Sequence, residues 1–99
     1  MTLETLKQEG KITVFVEGRV DTTTSPELGK ALDDLVPETD ELTLDMEKLI
    51  YISSAGLRVL LAAHKSMSKK GGFLLIKNIT PEIMEIFEIT GFTNILNIG

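Results

Sequence analysis

The chain has 99 residues, a formal net charge of −5 at pH 7, 42% apolar residues and no cysteine. This length suits a single domain over residues 1–99, and the acidic balance argues against nucleic acid as a partner. Without cysteine there are no disulfides, thiolate metal sites or cysteine nucleophiles. No apolar run approaches the ~18 residues of a membrane span, and the polar start is unlike a signal peptide, so we expect a cytoplasmic protein without direct membrane insertion.

The N-terminal part of the chain predicts two strands. Residues 1–9 alternate weakly and predict an edge strand. Gly10 is typical of a hairpin turn, because glycine supplies the positive φ that a tight turn needs. Apolar residues alternate cleanly over 11–17 and predict the second strand, and residues 18–24 are expected to form a loop.

The middle of the chain predicts a helix and a strand. Ser25, followed by proline and glutamate, is expected to be the N-cap of the helix, and Pro37 is expected to mark its end. Residues 41–46 alternate between apolar and polar, which predicts a strand in a sheet with one covered face.

The last part of the chain predicts two helices with a short apolar strand between them. The first helix is expected over 54–70 and the strand over 73–76; the second helix begins after Thr80 and ends at Gly91. Residues 94–98 form either a last strand or a tail on the core. The order β-β-α-β-α-β-α predicts an α/β fold, with a mixed four- to five-stranded sheet and helices mainly on one face.

The stretch from Ile50 to Leu61 carries the most informative pattern. The end of an apolar strand passes into an apolar helix, with Ser53, Ser54 and Gly56 at the junction. One interpretation is a helix N-cap, in which a serine oxygen accepts from an unpaired backbone N–H. The other is a regulated phosphorylation site, because free N–H groups and the helix dipole favour a phosphate there. Glycine in a helix costs up to ~1 kcal/mol relative to alanine, which indicates a packing or access requirement.

Enzymatic chemistry finds little support in the chain. His64, the only histidine, lies about ten residues beyond the serines, which is ~15 Å along a helix and too far for a general base. There is no G-x-S-x-G elbow, no phosphate loop of Walker type and no paired metal motif. We therefore expect no catalytic residue, no metal site and no cofactor.

Asp21 is the one acidic residue that the topology singles out. It follows a strand end, as the serines do, and such loops gather along one edge of an open α/β sheet. We expect Asp21 and Ser54 to be near neighbours. An Asx turn or a helix-capping role for Asp21 is the alternative.

Four segments together resemble the STAS domain family, and more narrowly the bacterial anti-sigma factor antagonists. They are Gly18–Asp21, Leu44-Asp45, Tyr51–Leu57 and Lys70–Gly72. The resemblance covers residues 11–98 and implies a STAS-like fold.

The resemblance implies a phosphorylation switch at Ser54, which matches the serine that an anti-sigma factor serine kinase modifies in that family. The unphosphorylated antagonist binds the anti-sigma factor and frees sigma; the phosphorylated form is released, and a metal-dependent serine phosphatase resets it. Ser53 stands where the family usually has aspartate and is the second choice as acceptor. Asp21, Ser53 and Gly56 are implied to lie near the phosphosite. The implied partner contacts are Asp21, Thr22, Thr23, Ser54, Ala55, Leu57 and Arg58.

Two other functions stay open at this point. The first is a STAS module that acts as a scaffold or as a subunit of a signalling or lipid-transport complex, without serine phosphorylation. The replacement of the usual aspartate by Ser53 leaves room for it. The second is a small hydrolase with Ser54 as nucleophile, which would need a base that the chain does not place within reach.

Overall fold

The protein is described from a computed structural model that covers residues 1–99. Two short 3-10 turns, Val36–Glu38 and Phe92–Asn94, follow the first and third helices. The strands and helices, in chain order, are β1 (Thr2–Gln8), β2 (Lys11–Val20), α1 (Ser25–Leu35), β3 (Glu41–Asp45), β4 (Leu49–Ile52), α2 (Ser54–Lys69), β5 (Phe73–Lys77), α3 (Pro81–Thr90) and β6 (Asn97–Ile98).

The sheet is mixed and has six strands. Five of them lie in the order β1-β2-β3-β5-β6, and β4 pairs with β2 off this path. β1 is antiparallel to β2, whereas the other pairings are parallel. The mixed α/β fold is as predicted, and both the edge strand at the N-terminus and the last strand are present. The predicted count of four to five strands is one short, because the predicted order does not count the apolar strand end before the serines, which is β4, as a separate strand.

β2 is longer than predicted because it changes partner part-way along. It pairs with β3 up to Phe15 and with β4 from Gly18 onwards, with a register shift between Gly18 and Arg19. Gly18 has a φ of +96°, a conformation that a side chain disfavours, and its N–H donates to Lys48 O at 3.0 Å. The glycine that predicted a loop therefore marks a bulge, and the strand continues to Val20.

One face of the sheet is covered. Along β2, β3 and β5 every second side chain is buried, while the residues between them, such as Thr13 and Thr43, stay partly exposed. Twenty buried apolar residues from the strands, helices and connecting segments form one cluster. The strand residues of this buried set in β2, β3 and β5 are Ile12, Val14, Val16, Val20, Leu42, Leu44, Leu74 and Ile76. The helices therefore pack on this face, as the alternation predicts.

The helix ends agree with the sequence pattern at α3 and differ at α1. Thr80 caps α3 with its hydroxyl oxygen accepting from the Ile83 N–H at 3.5 Å, and Gly91 ends that helix in the left-handed conformation. Ser25, expected to be the N-cap of α1, is instead its first helical residue and is buried; Thr24 is the N-cap and makes no side-chain capping bond. The first N–H groups of α1 bind backbone carbonyls instead: the Ser25 N–H donates to Asp21 O at 2.8 Å and the Glu27 N–H to Thr24 O at 3.0 Å.

The Lys70–Gly72 segment joins the end of α2 to the segment that follows α1. The Lys70 ammonium donates to Val36 O at 2.6 Å and to Thr39 O at 2.9 Å. A Cβ atom on Gly72 would stand 2.5 Å from Asp40 O, so only glycine fits that backbone approach. This motif is therefore explained by packing.

α2 approaches the sheet most closely at Gly56, which is buried. A Cβ atom there would lie 2.7 Å from Ile52 Cγ1 and 2.8 Å from Val20 Cγ1, both in buried side chains. At Gly29, within α1, the nearest atom to such a Cβ is Val59 Cγ2 at 3.6 Å, an ordinary contact. The glycine in the serine junction is thus required by the packing of α2 on β2 and β4.

We predict that Gly56→Ala lowers the free energy of unfolding by about 1 kcal/mol, because overpacking costs ~1–3 kcal/mol and outweighs a helix-propensity gain of up to ~1 kcal/mol. Gly29→Ala is the matched control and is expected to raise stability by about 0.5–1 kcal/mol. Urea denaturation of both variants measures the free energies of unfolding, and unchanged m-values confirm that the variants unfold as the wild type does. Equal stabilisation by the two alanines would contradict the close packing at Gly56.

Candidate functional site

The ends of β2 and β4 lie side by side and set the geometry of the site. Val20 pairs with Ile52 in the parallel register, and the Ser53 N–H donates to Val20 O at 2.8 Å. Asp21 directly follows Val20 at the end of β2, and Ser54 directly follows Ser53 after the end of β4. The structure therefore brings the loop that begins at Asp21 and the serine junction to one edge of the sheet.

The two serines have different surroundings. Ser53 is the N-cap of α2, with extended backbone, and its Oγ accepts from the Gly56 N–H at 3.2 Å. Ser54 is the first residue of the helix, and its side chain is exposed and makes no hydrogen bond within the chain. The N-cap interpretation thus applies to Ser53, and Ser54 carries the accessible hydroxyl.

Asp21 organises its own loop. Its Oδ1 accepts from the backbone N–H groups of Thr23 and Thr24, both at 2.9 Å, and the Asp21 N–H donates to Thr24 Oγ1 at 2.9 Å. The bond from the Thr24 N–H is the main cause that holds the pKa of Asp21 below its usual value. The Thr24 hydroxyl, the Thr23 N–H and the charge of Arg19 act in the same direction, against desolvation. The Asx turn, one of the two predicted roles, is present, and it keeps a negative charge beside the serine junction.

Arg19 and Tyr51 form an exposed pair at the same edge. They are opposite one another in the register of β2 and β4, and the Arg19 guanidinium carbon lies 4.4 Å from the centre of the Tyr51 ring. Such a distance is typical of a cation–π contact. The neighbouring Ile50 is 70% exposed. These three residues were not among the predicted site residues, since no sequence pattern indicated that β4 pairs with β2.

The structure corrects one of the expected partner contacts. Leu57 is only 4% exposed and belongs to the core, because it faces the sheet from the first turn of α2. Among the other expected contacts, Asp21 and Ala55 are half-buried. The remaining ones are exposed: Thr22, Thr23, Ser54 and Arg58.

His64 stays away from the serines. It lies ten residues after Ser54 in α2, a distance of about 15 Å along the axis. The residue is half-buried and its Nδ1 is buried without a hydrogen-bond partner. The imidazole of His64 is therefore too far from Ser54 to act as a general base for its hydroxyl.

The family model for the STAS domain matches residues 2–99. The chain belongs to the STAS domain family. An anti-sigma-B factor antagonist of Listeria monocytogenes is 33% identical over 88 residues, which are 88% of this chain and 77% of that protein. No helix of this STAS domain is long and apolar enough to span a membrane.

Two solved structures support the STAS fold. The crystal structure of an anti-sigma factor antagonist from Mycobacterium paratuberculosis has a TM-score of 0.88 at 23% identity, over 98% of this chain and 83% of that one. The phosphorylated form of the Bacillus cell fate determinant SpoIIAA has a TM-score of 0.77 at 12% identity, over 99% of this chain and 91% of that one. At these identities the two structures establish the likeness of the fold alone.

We predict that Asp21→Asn lowers stability at pH 7 and that the gap to the wild type closes as the pH falls. Asparagine keeps an acceptor oxygen and removes the charge. Because the folded-state pKa of Asp21 is depressed, its contribution is present above the unfolded value of about 3.9 and is lost as the pH falls through the folded value. Thermal unfolding from pH 7 to pH 2 measures the gap.

Asp33→Asn is the matched control for this measurement, because Asp33 is exposed on α1 and makes no side-chain hydrogen bond or ion pair. A gap for Asp21→Asn that stays constant across the whole pH range would show that its charge contributes nothing to the loop.

Proposed function

We propose that this STAS domain is an anti-sigma factor antagonist whose binding to an anti-sigma factor is switched off by phosphorylation of Ser54. The family membership and the name of the Listeria monocytogenes relative support the antagonist role. The observation that carries the switch is the division between the serines: Ser53 is engaged as the helix cap, and Ser54 presents a free, exposed hydroxyl.

The surroundings of Ser54 suit a hydroxyl that gains and loses a phosphate. The first turn of α2 contains no acidic residue, and the start of a helix favours negative charge through its free N–H groups and dipole. The Ser54 side chain takes no part in the core or in a hydrogen bond, so its modification leaves the packing of α2 undisturbed. The fold can therefore persist in both states.

The effect on a partner follows from charge. A phosphoserine carries about −1.5 to −2 charges at pH 7, and it would stand at the edge that already holds the Asp21 carboxylate, on a chain of net charge −5. A partner surface that accepts the neutral serine would then face like-charge repulsion and the desolvation of a dianion. Either the repulsion or the desolvation cost is large enough to convert binding into release.

The proposed partners are an anti-sigma factor that is also a serine kinase and a metal-dependent serine phosphatase. The STAS domain acts as ligand and as phosphoryl acceptor rather than as an enzyme, since Ser54 has no base at hand. The contact surface on this side consists of the exposed residues at the sheet edge and the start of α2. These are Thr22, Thr23, Ser54 and Arg58, with Asp21 and Ala55 partly accessible.

We predict that Ser54→Asp weakens binding to the anti-sigma factor of the source organism at least tenfold, which corresponds to about 1.4 kcal/mol. Titration calorimetry measures the affinity, and circular dichroism checks the fold. Ser66→Asp is the matched control, because Ser66 is exposed on the same helix about 18 Å from Ser54 and receives the same charge.

Equal affinity of the wild type and Ser54→Asp for the anti-sigma factor would contradict the phosphorylation switch. Absence of binding by the wild type would contradict the antagonist role. Recovery of this unphosphorylated domain within a scaffold or transport complex would then favour the other STAS function.

A further inference from the structure

Both arginines of the chain lie close to the serine junction. The chain has ten cationic residues, of which only Arg19 and Arg58 are arginines. Arg19 belongs to β2 and lies over the ring of Tyr51 on β4, and Arg58 lies in the second turn of α2. Arginine is distinctive because its planar guanidinium binds a phosphate through two parallel hydrogen bonds, whereas lysine offers a point charge.

Arg58 stands four residues after Ser54 on the same helix. Side chains at i and i+4 are neighbours on one face, with their Cβ atoms about 5–6 Å apart. Long side chains on a helix lean towards its N-terminus, so the side chain at i+4 reaches back over the residue at i. Both residues are exposed, and neither side chain makes a hydrogen bond within the chain.

Arg58 is also free of carboxylate partners. The four ion pairs of the chain all use lysines. Arg58 lines a shallow groove between α1 and α2, together with Asp33, Val59 and Ala62, and Asp33 makes no ion pair with it. Arg58 is therefore available at the surface in the unmodified protein.

We propose that Arg58 is the intramolecular ligand of a phosphate on Ser54. On modification the guanidinium pairs with the phosphate oxygens one turn earlier in α2, and it leaves the mouth of the α1–α2 groove. Phosphorylation thereby changes the binding surface twice, because it adds negative charge at Ser54 and withdraws the positive charge that Arg58 offers to a partner. This inference rests on the proposed phosphorylation of Ser54.

Arg19 is the competing ligand. Its guanidinium is already committed, since it stacks on Tyr51 at 4.4 Å and its charge acts on the Asp21 carboxylate. Binding the phosphate would require Arg19 to leave the ring, whereas Arg58 gives up no contact of this kind. The geometry therefore favours the i, i+4 pair.

The test uses the whole chain with phosphoserine installed at position 54 by genetic encoding. A ³¹P NMR titration at low salt gives the second pKa of the phosphate, which is about 6 in a free phosphoserine. A nearby cation favours the dianion and lowers that pKa, so Arg58→Gln is expected to raise it by about 0.3 units or more. Lys65→Gln, which removes the same charge farther along α2, is expected to leave the pKa nearly unchanged.

A second readout follows the arginine itself. The Arg58 Nε–H resonance is expected to shift and to exchange more slowly with water when Ser54 carries the phosphate, and the Arg19 resonance is expected to stay in place. Amide spectra of all variants check that the fold is intact.

Equal pKa changes for Arg58→Gln and Lys65→Gln would overturn the proposal in favour of a general charge effect. A larger change for Arg19→Gln would overturn it in favour of the arginine on Tyr51. Because the phosphoserine is encoded, neither result depends on a kinase, and the role of Ser54 in anti-sigma factor binding is judged separately by the calorimetry described above.

Discussion

The exchange of partners along β2 is the constraint on which the site depends. The strand pairs with β3 in its first half and with β4 after the bulge at Gly18, where a φ of +96° excludes most side chains. Only this exchange sets Val20 beside the start of α2, where its carbonyl accepts from the Ser53 N–H at 2.8 Å. The Asp21 loop and the serine junction meet as a consequence, although they are more than thirty residues apart in the chain.

At the serine junction, the residues that maintain the fold are different from the residue that is exposed for modification. Ser53 satisfies the Gly56 N–H, and Gly56 lets α2 rest on Val20 and Ile52. Asp21 satisfies the N–H groups of its own loop. The Ser54 side chain makes no hydrogen bond within the chain and is not part of the core. A modification of Ser54 therefore alters the charge of the surface without removing a hydrogen bond or a packing contact that the fold uses, which is what a reversible binding switch requires.

Local patterns predicted most of the elements, because alternation, caps and glycines act over a few residues. The strand over 41–46, the turn at Gly10 and the cap at Thr80 all follow from such patterns. The strand end before the serines was visible as an apolar run, but β4 was not counted as a separate strand because its four residues are all apolar and show no alternation.

The parts of the site that the sequence did not reveal are those made by pairing between distant segments. Arg19 and Tyr51 are in contact only because β4 pairs with β2, and no sequence pattern in either segment predicts the register of that pairing. Leu57 belongs to the motif that suggested partner contacts. The helical repeat of α2 nevertheless places its side chain in the core. The chemical identity of the site, two serines at a strand-to-helix junction, was by contrast visible in the sequence, because helix-capping chemistry is local.

Phosphosite mapping of the protein isolated from its own cells is the measurement to make first. Intact-mass and peptide mass spectrometry, with and without phosphatase treatment, locate the modified residue. We expect a phosphatase-sensitive phosphate on Ser54, with Ser53 unmodified because its oxygen is engaged as the helix cap. Phosphate confined to Ser53, or none on either serine across growth and stress conditions, would contradict the assignment of Ser54 as the switch.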